Sequence, residues 1–149
     1  MMTEEKVTKS ILSYLMGRGW KIITFDFPQS GTGRSLHPNG SVSKNAGDLI
    51  PDVVAVKADV SIYMENKDHY DLEDFAKVNN VLQTKIYAES FYKVLGVSQD
   101  TMLGGIGMPG SCCDLITEDA KKLVDFVLRV SDDGVVGVEF IAPGRSINF

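Results

Sequence analysis

The sequence predicts a mixed α/β fold (α+β mixed) in which one β-sheet carries helices on both faces. The 149 residues are 44% hydrophobic and 23% charged, a balance that suits a single domain over residues 1–149. Runs rich in β-branched and aromatic residues alternate with stretches in which apolar residues recur at helical spacing. The strand-like runs are apolar at nearly every position, so we expect both faces of the sheet to be covered.

The first third of the chain predicts one helix and one strand, followed by a long loop. Thr3 is suited to cap a helix, and apolar residues then recur at helical spacing as far as Gly17. Residues 20–27 are rich in β-branched and aromatic side chains and predict a strand. Residues 28–47 hold glycine and proline at short intervals and have no periodicity. A loop of this length is usually functional or mobile.

The rest of the chain predicts alternating strands and helices. Two strands surround a short turn at Ala58 and Asp59, and Asp71 is suited to cap a long helix. The strand after that helix contains several glycines, so we expect it to lie close to another backbone. The predicted order after the loop is strand, strand, helix, strand, helix, strand, at residues 51–57, 60–67, 71–96, 101–108, 117–130 and 135–142.

Charge is unevenly distributed along the chain. The net charge of −5 argues against a protein that coats nucleic acid through a broad basic surface. Residues 18–47 nevertheless hold four basic residues against one acidic residue, whereas residues 48–74 hold eight acidic residues against two basic ones. A metal-dependent enzyme that acts on a polyanion requires an acidic cluster beside a basic loop. Two differently solvated surfaces are the simpler alternative.

The predicted hairpin brings three charged residues together. Its turn pairs Asp52 with Glu65, so their side chains lie on one face with Cβ atoms about 5 Å apart. Two carboxylates so close repel each other unless a cation lies between them, and oxygen ligands in a partly open site suit Mg²⁺. Lys67 lies two residues beyond Glu65 and therefore on the same face. Its ammonium group can orient a metal-bound water and offset charge on a phosphate. The alternative is a solvent-facing carboxylate paired with Lys67.

The motif formed by these residues has a family counterpart. Pro51 precedes Asp52, and after twelve intervening residues Glu65, Asn66 and Lys67 follow in sequence. This pattern resembles that of the PD-(D/E)xK nuclease superfamily. The resemblance implies that Asp52, Glu65 and Lys67 are the catalytic residues. It also implies that Asp52 and Glu65 bind the metal, with the backbone carbonyl of Asn66 as a candidate third ligand.

The order of elements and two further positions extend the resemblance. The predicted helix, β-meander, helix and strand over residues 3–108 match the order of the restriction-endonuclease-like core. Gln83 and Tyr87 resemble the QxxxY motif of some branches, in which the glutamine lies near the metal and supports it. Packing of the helix on the sheet is the alternative for both residues. Some members add a glutamate from the first helix, for which Glu5 is the candidate, with Glu4 beside it.

The resemblance implies a Mg²⁺-dependent DNA endonuclease that hydrolyses phosphodiester bonds through a metal-activated water, with Mn²⁺ as a substitute metal. We expect a restriction-type enzyme that acts as a homodimer, because two cuts need two sites. A Holliday junction resolvase is the alternative within the superfamily. A non-catalytic nucleic-acid-binding subunit of the same fold and an unrelated regulatory module are the alternatives from other classes.

The loop of residues 28–47 is the expected DNA contact. Arg34 and Lys44 are its charged residues, and both are basic; His37 adds a further donor. We expect Arg34 to grip a base or a phosphate through its forked guanidinium group. Without DNA, we expect the loop to be poorly ordered or to be held by a partner subunit.

Compartment and redox state are predicted from what the sequence lacks. Neither a signal-peptide pattern nor an apolar run long enough for a membrane span is present, so we expect a cytoplasmic protein without membrane contact. Cys112 and Cys113 are adjacent and cannot link distant segments, so we expect them to be reduced. His69 is expected to be a surface residue, because a lone histidine rarely indicates a zinc site.

Overall fold

Six strands form one mixed sheet whose spatial order follows the chain order. The structure, a computed structural model, describes residues 2–40 and 47–149. The strands are Lys21–Phe25 (β1), Val53–Lys57 (β2), Val60–Asn66 (β3), Met102–Pro109 (β4), Phe126–Val130 (β5) and Val136–Ile141 (β6). β1, β2 and β3 form an antiparallel meander, β4 and β5 continue parallel to β3, and β6 is antiparallel to β5. The predicted mixed sheet is therefore confirmed.

Helices cover both faces of this sheet, as predicted. They are Glu4–Gly17 (α1), Leu72–Thr84 (α2), Ala88–Leu95 (α3) and Glu118–Lys121 (α4). α1 packs on one face through Ile11 and Leu15, and the other helices pack on the opposite face, where Phe75 and Phe91 are fully buried. Within the described ranges, no helix combines the length and apolar character that a membrane crossing requires.

The β2–β3 hairpin has the predicted register. Lys57 pairs with Val60 and Val53 pairs with Met64, with Ala58 taking a positive φ of 53° in the turn. One step beyond the last of these pairs lie Asp52 and Glu65. Because side chains alternate along a strand, both belong to the face that packs on α2.

The single long helix predicted over residues 71–96 is wrong. Lys85 adopts a left-handed conformation with φ 55° and separates α2 from α3. Apolar residues keep helical spacing through this break, so the sequence does not reveal it. The backbone carbonyl groups that make no helical hydrogen bond at the break are bound by residues of the long loop. The Asn39 backbone N–H donates to the Ile86 carbonyl at 2.6 Å, and the Asn39 side-chain amide donates to the Lys85 carbonyl at 3.2 Å. Tertiary hydrogen bonds therefore stabilise a break that helical periodicity does not reveal.

The helix predicted over residues 117–130 is also wrong. Only α4 is helical there, and residues 126–130 form β5. Val124, Val127 and Val130 match helical spacing, but Phe126, Val127 and Leu128 are all fully buried. Consecutive buried residues indicate a strand covered on both faces. Phe126 and Leu128 face α1, whereas Val127 faces the opposite core.

The glycines of β4 make room for side chains rather than for the neighbouring backbone that we expected. A Cβ at Gly104 would collide with Val78 and Leu82 of α2. A Cβ at Gly107 would collide with Ile11 of α1 and with the side chain of Asn66. The glycines thus let both helix layers approach the centre of the sheet.

We expect Gly107→Ala to destabilise the protein by about 1–3 kcal/mol, because the new methyl group overpacks the contact between α1 and the sheet. Gly17→Ala is the matched control. Gly17 ends α1, and a methyl group added there would meet no neighbouring atom within 4 Å, so this change should be neutral or stabilising by up to about 1 kcal/mol. Urea unfolding of both variants measures the difference. Equal stabilities would contradict the packing described for β4.

Candidate active site

Asp52 lies at the end of the sheet where β1 and β3 end and β2 begins. It immediately precedes β2, and its backbone carbonyl accepts a hydrogen bond from the Asp26 N–H at 2.9 Å. Its Oδ2 accepts a hydrogen bond from the Asn66 backbone N–H at 2.7 Å. The side chain is thus fixed against the end of β3, beside the neighbouring Glu65.

Glu65 is almost fully buried and has two partners from the same face. The Tyr63 hydroxyl donates to Glu65 Oε1 at 2.5 Å, and Lys77 Nζ lies 3.0 Å from the same oxygen. The Glu65 side chain is 3% exposed, whereas that of Lys77 is 47% exposed. Neither partner was predicted from the sequence. The contact of Tyr63 could have been predicted, because Tyr63 precedes Glu65 by two residues and therefore lies on the same face of the strand. The contact of Lys77 could not, because the sequence does not determine which side of α2 faces the sheet.

Burial and the charge of Glu65 disfavour ionisation of Asp52. Burial, and next the neighbouring charge of Glu65, raise the pKa of Asp52 from 3.8 to about 8, although the hydrogen bond from the Asn66 N–H acts in the opposite direction. Burial and the charge of Glu65 also raise the pKa of Tyr63 well above its usual value. The site therefore holds more negative charge than its surroundings compensate, a property of cation sites with oxygen ligands.

Lys67 lies beside this pair but forms its ion pairs with other carboxylates. Its Nζ is 3.6 Å from Asp74 Oδ1 and 3.9 Å from Glu4 Oε1, and its backbone N–H donates to the Gly107 carbonyl at 2.9 Å. Partial burial lowers the pKa of Lys67, but Asp74, Glu4 and the more distant carboxylates outweigh burial and raise it. Lys67 is therefore held as a cation.

The helix glutamate that reaches the site is Glu4 rather than Glu5. Glu5 is exposed and its Oε2 pairs with Lys9 Nζ at 3.3 Å, along the surface of α1. Glu4 is partly buried and faces Lys67. The helical rotation of α1 determines which of the two adjacent residues faces the sheet edge.

Asn66 presents its backbone, and not its side chain, to the two carboxylates. Because the N–H and C=O groups of one strand residue point to the same side, its carbonyl is directed to the side of Asp52. The side chain points to the opposite face, where Nδ2 donates to Thr8 Oγ1 at 3.2 Å. A ligand role is therefore open to the Asn66 carbonyl alone.

Gln83 and Tyr87 do not share a helix face, because α2 ends at Thr84. Gln83 is exposed. Tyr87 immediately precedes α3 and is 9% exposed. Its hydroxyl group donates a hydrogen bond to the Gly47 carbonyl at 2.5 Å. The structure thus gives Tyr87 a role in holding the loop, and Lys77 is the α2 residue that reaches Glu65.

The described parts of the loop, residues 28–40 and 47, are anchored on their own chain, whereas the expected contact with a partner subunit stays a prediction. Leu36 is fully buried and forms a β-bridge with Leu49. The His37 backbone exchanges two hydrogen bonds with the Ser90 hydroxyl of α3, at 2.9 and 3.0 Å. The His37 ring nitrogen Nδ1 is 2.7 Å from Asp48 Oδ1. Arg34 is exposed, and Lys44 lies outside the described residues.

A groove of about 510 Å³ opens beside Glu4, which pairs with Lys67. Its walls come from the N-terminus of α1, the turn after β1 and the segment after β3, and it is lined by Thr3, Glu4, Glu5, Pro28, Gln29 and Asp68. Glu4 is thus the residue that links this groove to Lys67.

Two groups singled out by residue type lie outside the carboxylate pair. His69, Asp71 and Asp74 bring ligand atoms within 4.8 Å of one another. His69 is exposed, as expected, and its Nδ1 lies 2.6 Å from Asp68 Oδ1, while Asp74 is occupied by Lys67. Cys112 and Cys113 are both free cysteines in the structure, and their reduced state in the cell stays a prediction.

Comparison with known proteins adds no relative. No protein-family model matches this chain, and no curated protein or solved structure similar to it was found. The function is therefore inferred from the chemistry of the site.

The raised pKa of Asp52 predicts a pH-dependent stability of the cation-free protein. The folded state keeps a proton on Asp52 that the unfolded chain releases near pH 4, so stability is lost as the pH rises from about 4 to about 8. Asp52→Asn removes this loss. As the pH rises from about 4 to about 8, the Asp52→Asn variant should therefore become more stable relative to the unmodified protein. The expected gain in the free energy of unfolding is up to about 1.4 kcal/mol for each unit by which folding raises the pKa of Asp52.

Urea unfolding in chelator at pH 5 and pH 8 measures this gain. Asp59→Asn is the control, because Asp59 is an exposed carboxylate in the turn of the same hairpin. A stability difference for Asp52→Asn that is the same at both pH values would contradict the raised pKa of Asp52.

Proposed function

We propose that this chain is a Mg²⁺-dependent DNA endonuclease of the PD-(D/E)xK type with a restriction-endonuclease-like core, acting as a restriction-type enzyme. One observation carries the proposal. The hairpin register brings Asp52 and Glu65 side by side at the end of the sheet, with Lys67 next to them and a groove beside Glu4, the ion-pair partner of Lys67. The meander of β1–β3, followed by helices and the parallel strand β4, supports the proposed core.

The donor set suits a hard divalent cation. Asp52, Glu65 and the Asn66 carbonyl would hold it, since oxygen ligands with part of the coordination shell left open suit Mg²⁺. Burial and the neighbouring charge of Glu65 raise the pKa of Asp52, and this favours a cation because a bound cation would offset the charge of both carboxylates. When bound, Mg²⁺ would supply Lewis-acid chemistry, lowering the pKa of a coordinated water and offsetting charge on a phosphate.

The residues of the chain supply position and charge. The Tyr63 hydroxyl fixes the orientation of Glu65, and the Asn66 N–H fixes that of Asp52. Lys67 is held as an ammonium ion by Asp74 and Glu4. A cation at this position offsets the negative charge that a phosphodiester accumulates in the transition state, and removal of such a contact typically costs about 10²–10³ in rate.

Supercoiled plasmid incubated with Mg²⁺ tests the proposed activity. We expect nicking that chelator abolishes, and a loss of at least about 100-fold in Asp52→Asn, Glu65→Gln and Lys67→Met. Lys67→Met should still bind Mn²⁺, whereas the two carboxylate variants should bind it weakly. Glu118→Gln is the control, because its side chain is 85% exposed on α4 and pairs only with Lys121 among the described residues.

Three outcomes of this assay separate the alternatives. Cleavage of four-way junctions without cleavage of duplex plasmid would select the junction resolvase. DNA binding without cleavage would select the non-catalytic subunit. Nicking that persists in Asp52→Asn would contradict the proposed site. Sedimentation of the protein with and without a duplex oligonucleotide tests the proposed homodimer.

Arg34 is the proposed loop contact with DNA. Arg34→Ala should weaken binding by about 1–3 kcal/mol and relax specificity at one position if the guanidinium group reads a guanine. If it contacts a phosphate, binding should weaken evenly across sequences. Titration of labelled duplexes in Ca²⁺ measures the effect, with Arg145→Ala as the control because Arg145 pairs with Asp125 at the start of β5. Equal affinities for the two variants would remove Arg34 from the interface.

A further inference from the structure

Two lysines surround the carboxylate pair, and the one in contact with Glu65 is not the one in the ExK motif. Lys67 pairs with Asp74 and Glu4. Lys77, from the second turn of α2, places its Nζ 3.0 Å from Glu65 Oε1. Glu65 is therefore paired with a cation whose own side chain is half exposed.

Glu65 requires the positive charge of Lys77 only while no other cation is bound beside it. A buried carboxylate requires a nearby positive charge, because transfer of an unpaired charge out of water is costly. Lys77 meets this requirement from the surface of α2, as its neighbours Phe75 and Val78 are fully buried. A divalent cation between Asp52 and Glu65 would meet the same requirement, and its charge would repel the ammonium group.

Lys77 is also the partner of Glu65 best able to leave. Tyr63 is fully buried and cannot move away from Glu65 without opening the core. Lys77 has a flexible four-carbon stem and 47% of its side chain exposed, so it can turn outward with little change in packing. An ammonium group released from a metal ligand remains within reach of a phosphate bound at the same site.

We propose that Lys77 exchanges between Glu65 and a substrate phosphate, and that this exchange couples binding of the divalent cation to binding of the phosphodiester backbone. This inference rests on the proposed function. A phosphate that attracts Lys77 leaves Glu65 free for the cation, and a cation on Glu65 leaves Lys77 free for the phosphate. Such coupling is reciprocal, so each ligand raises the affinity for the other by the same factor.

The first experiment measures Mn²⁺ binding without DNA, from the electron paramagnetic resonance signal of free Mn²⁺. Lys77→Met removes the competing charge and should bind Mn²⁺ at least fivefold more tightly than the unmodified protein. Lys77→Arg keeps the charge and should stay within twofold of it. Lys122→Met is the matched control, because Lys122 is exposed, immediately follows α4 and pairs with Asp119. Circular dichroism establishes that each variant is folded.

The second experiment measures binding of a labelled DNA duplex by fluorescence anisotropy, in Ca²⁺ and in chelator, over a range of salt concentrations. In Ca²⁺, Lys77→Met should reduce the slope of log affinity against log salt by about 1, as expected for one lost phosphate contact. In chelator, where no cation competes with Lys77 for Glu65, the slope should be reduced by less than half as much. Ca²⁺ should raise DNA affinity at least threefold less in Lys77→Met than in Lys122→Met.

The outcomes distinguish the two proposals. If the unmodified protein binds neither Mn²⁺ through Asp52 nor DNA, both the proposed function and the exchange are overturned. If it binds both, and Lys77→Met behaves like Lys122→Met in either experiment, the exchange alone is overturned. A slope reduced equally in Ca²⁺ and in chelator also overturns it, since Lys77 would then be a fixed DNA contact.

Discussion

The arrangement of this site depends on one constraint, which is that the hairpin register places two carboxylates next to each other in a poorly hydrated position. Asp52 and Glu65 lie one step beyond the last ladder pair of β2 and β3. The surrounding groups compensate part of this charge. The Asn66 N–H donates a hydrogen bond to Asp52, and Glu65 accepts a hydrogen bond from the Tyr63 hydroxyl and pairs with Lys77. Since unpaired buried charge is costly, a protein retains such a pair only where the charge has a use.

The parts of the fold that could be predicted from sequence are those determined by local periodicity. The hairpin register follows from a two-residue turn and strand alternation, and it brings Asp52 opposite Glu65 without knowledge of any other element. The break at Lys85 and the strand character of residues 126–130 could not be predicted in this way. The first depends on hydrogen bonds from Asn39, and the second on burial of both faces of β5. The same limit explains why Lys77 was missed.

The break between α2 and α3 connects the loop to the site. Tyr87, which follows the break, holds the Gly47 carbonyl, and Ser90 of α3 holds the His37 backbone. The Leu36–Leu49 bridge then leads the chain into Asp52 within three residues. An uninterrupted helix over residues 71–96 would remove these anchors. The departure from the predicted helix is therefore part of what positions the first carboxylate.

The balance of charge at the sheet edge indicates what the site lacks. Among the described residues, the connected set contains four carboxylates and two ammonium groups, namely Asp52, Glu65, Asp74 and Glu4 with Lys67 and Lys77. With every member ionised, two negative charges remain uncompensated. A proton on Asp52 offsets one of them, which is the physical meaning of a pKa raised to about 8. A single divalent cation offsets both and removes the need for that proton. The proposed Mg²⁺ would therefore balance the charge of this set while Lys77 remains in place, whereas the proposed release of Lys77 would leave one negative charge and free an ammonium group for the proposed phosphate.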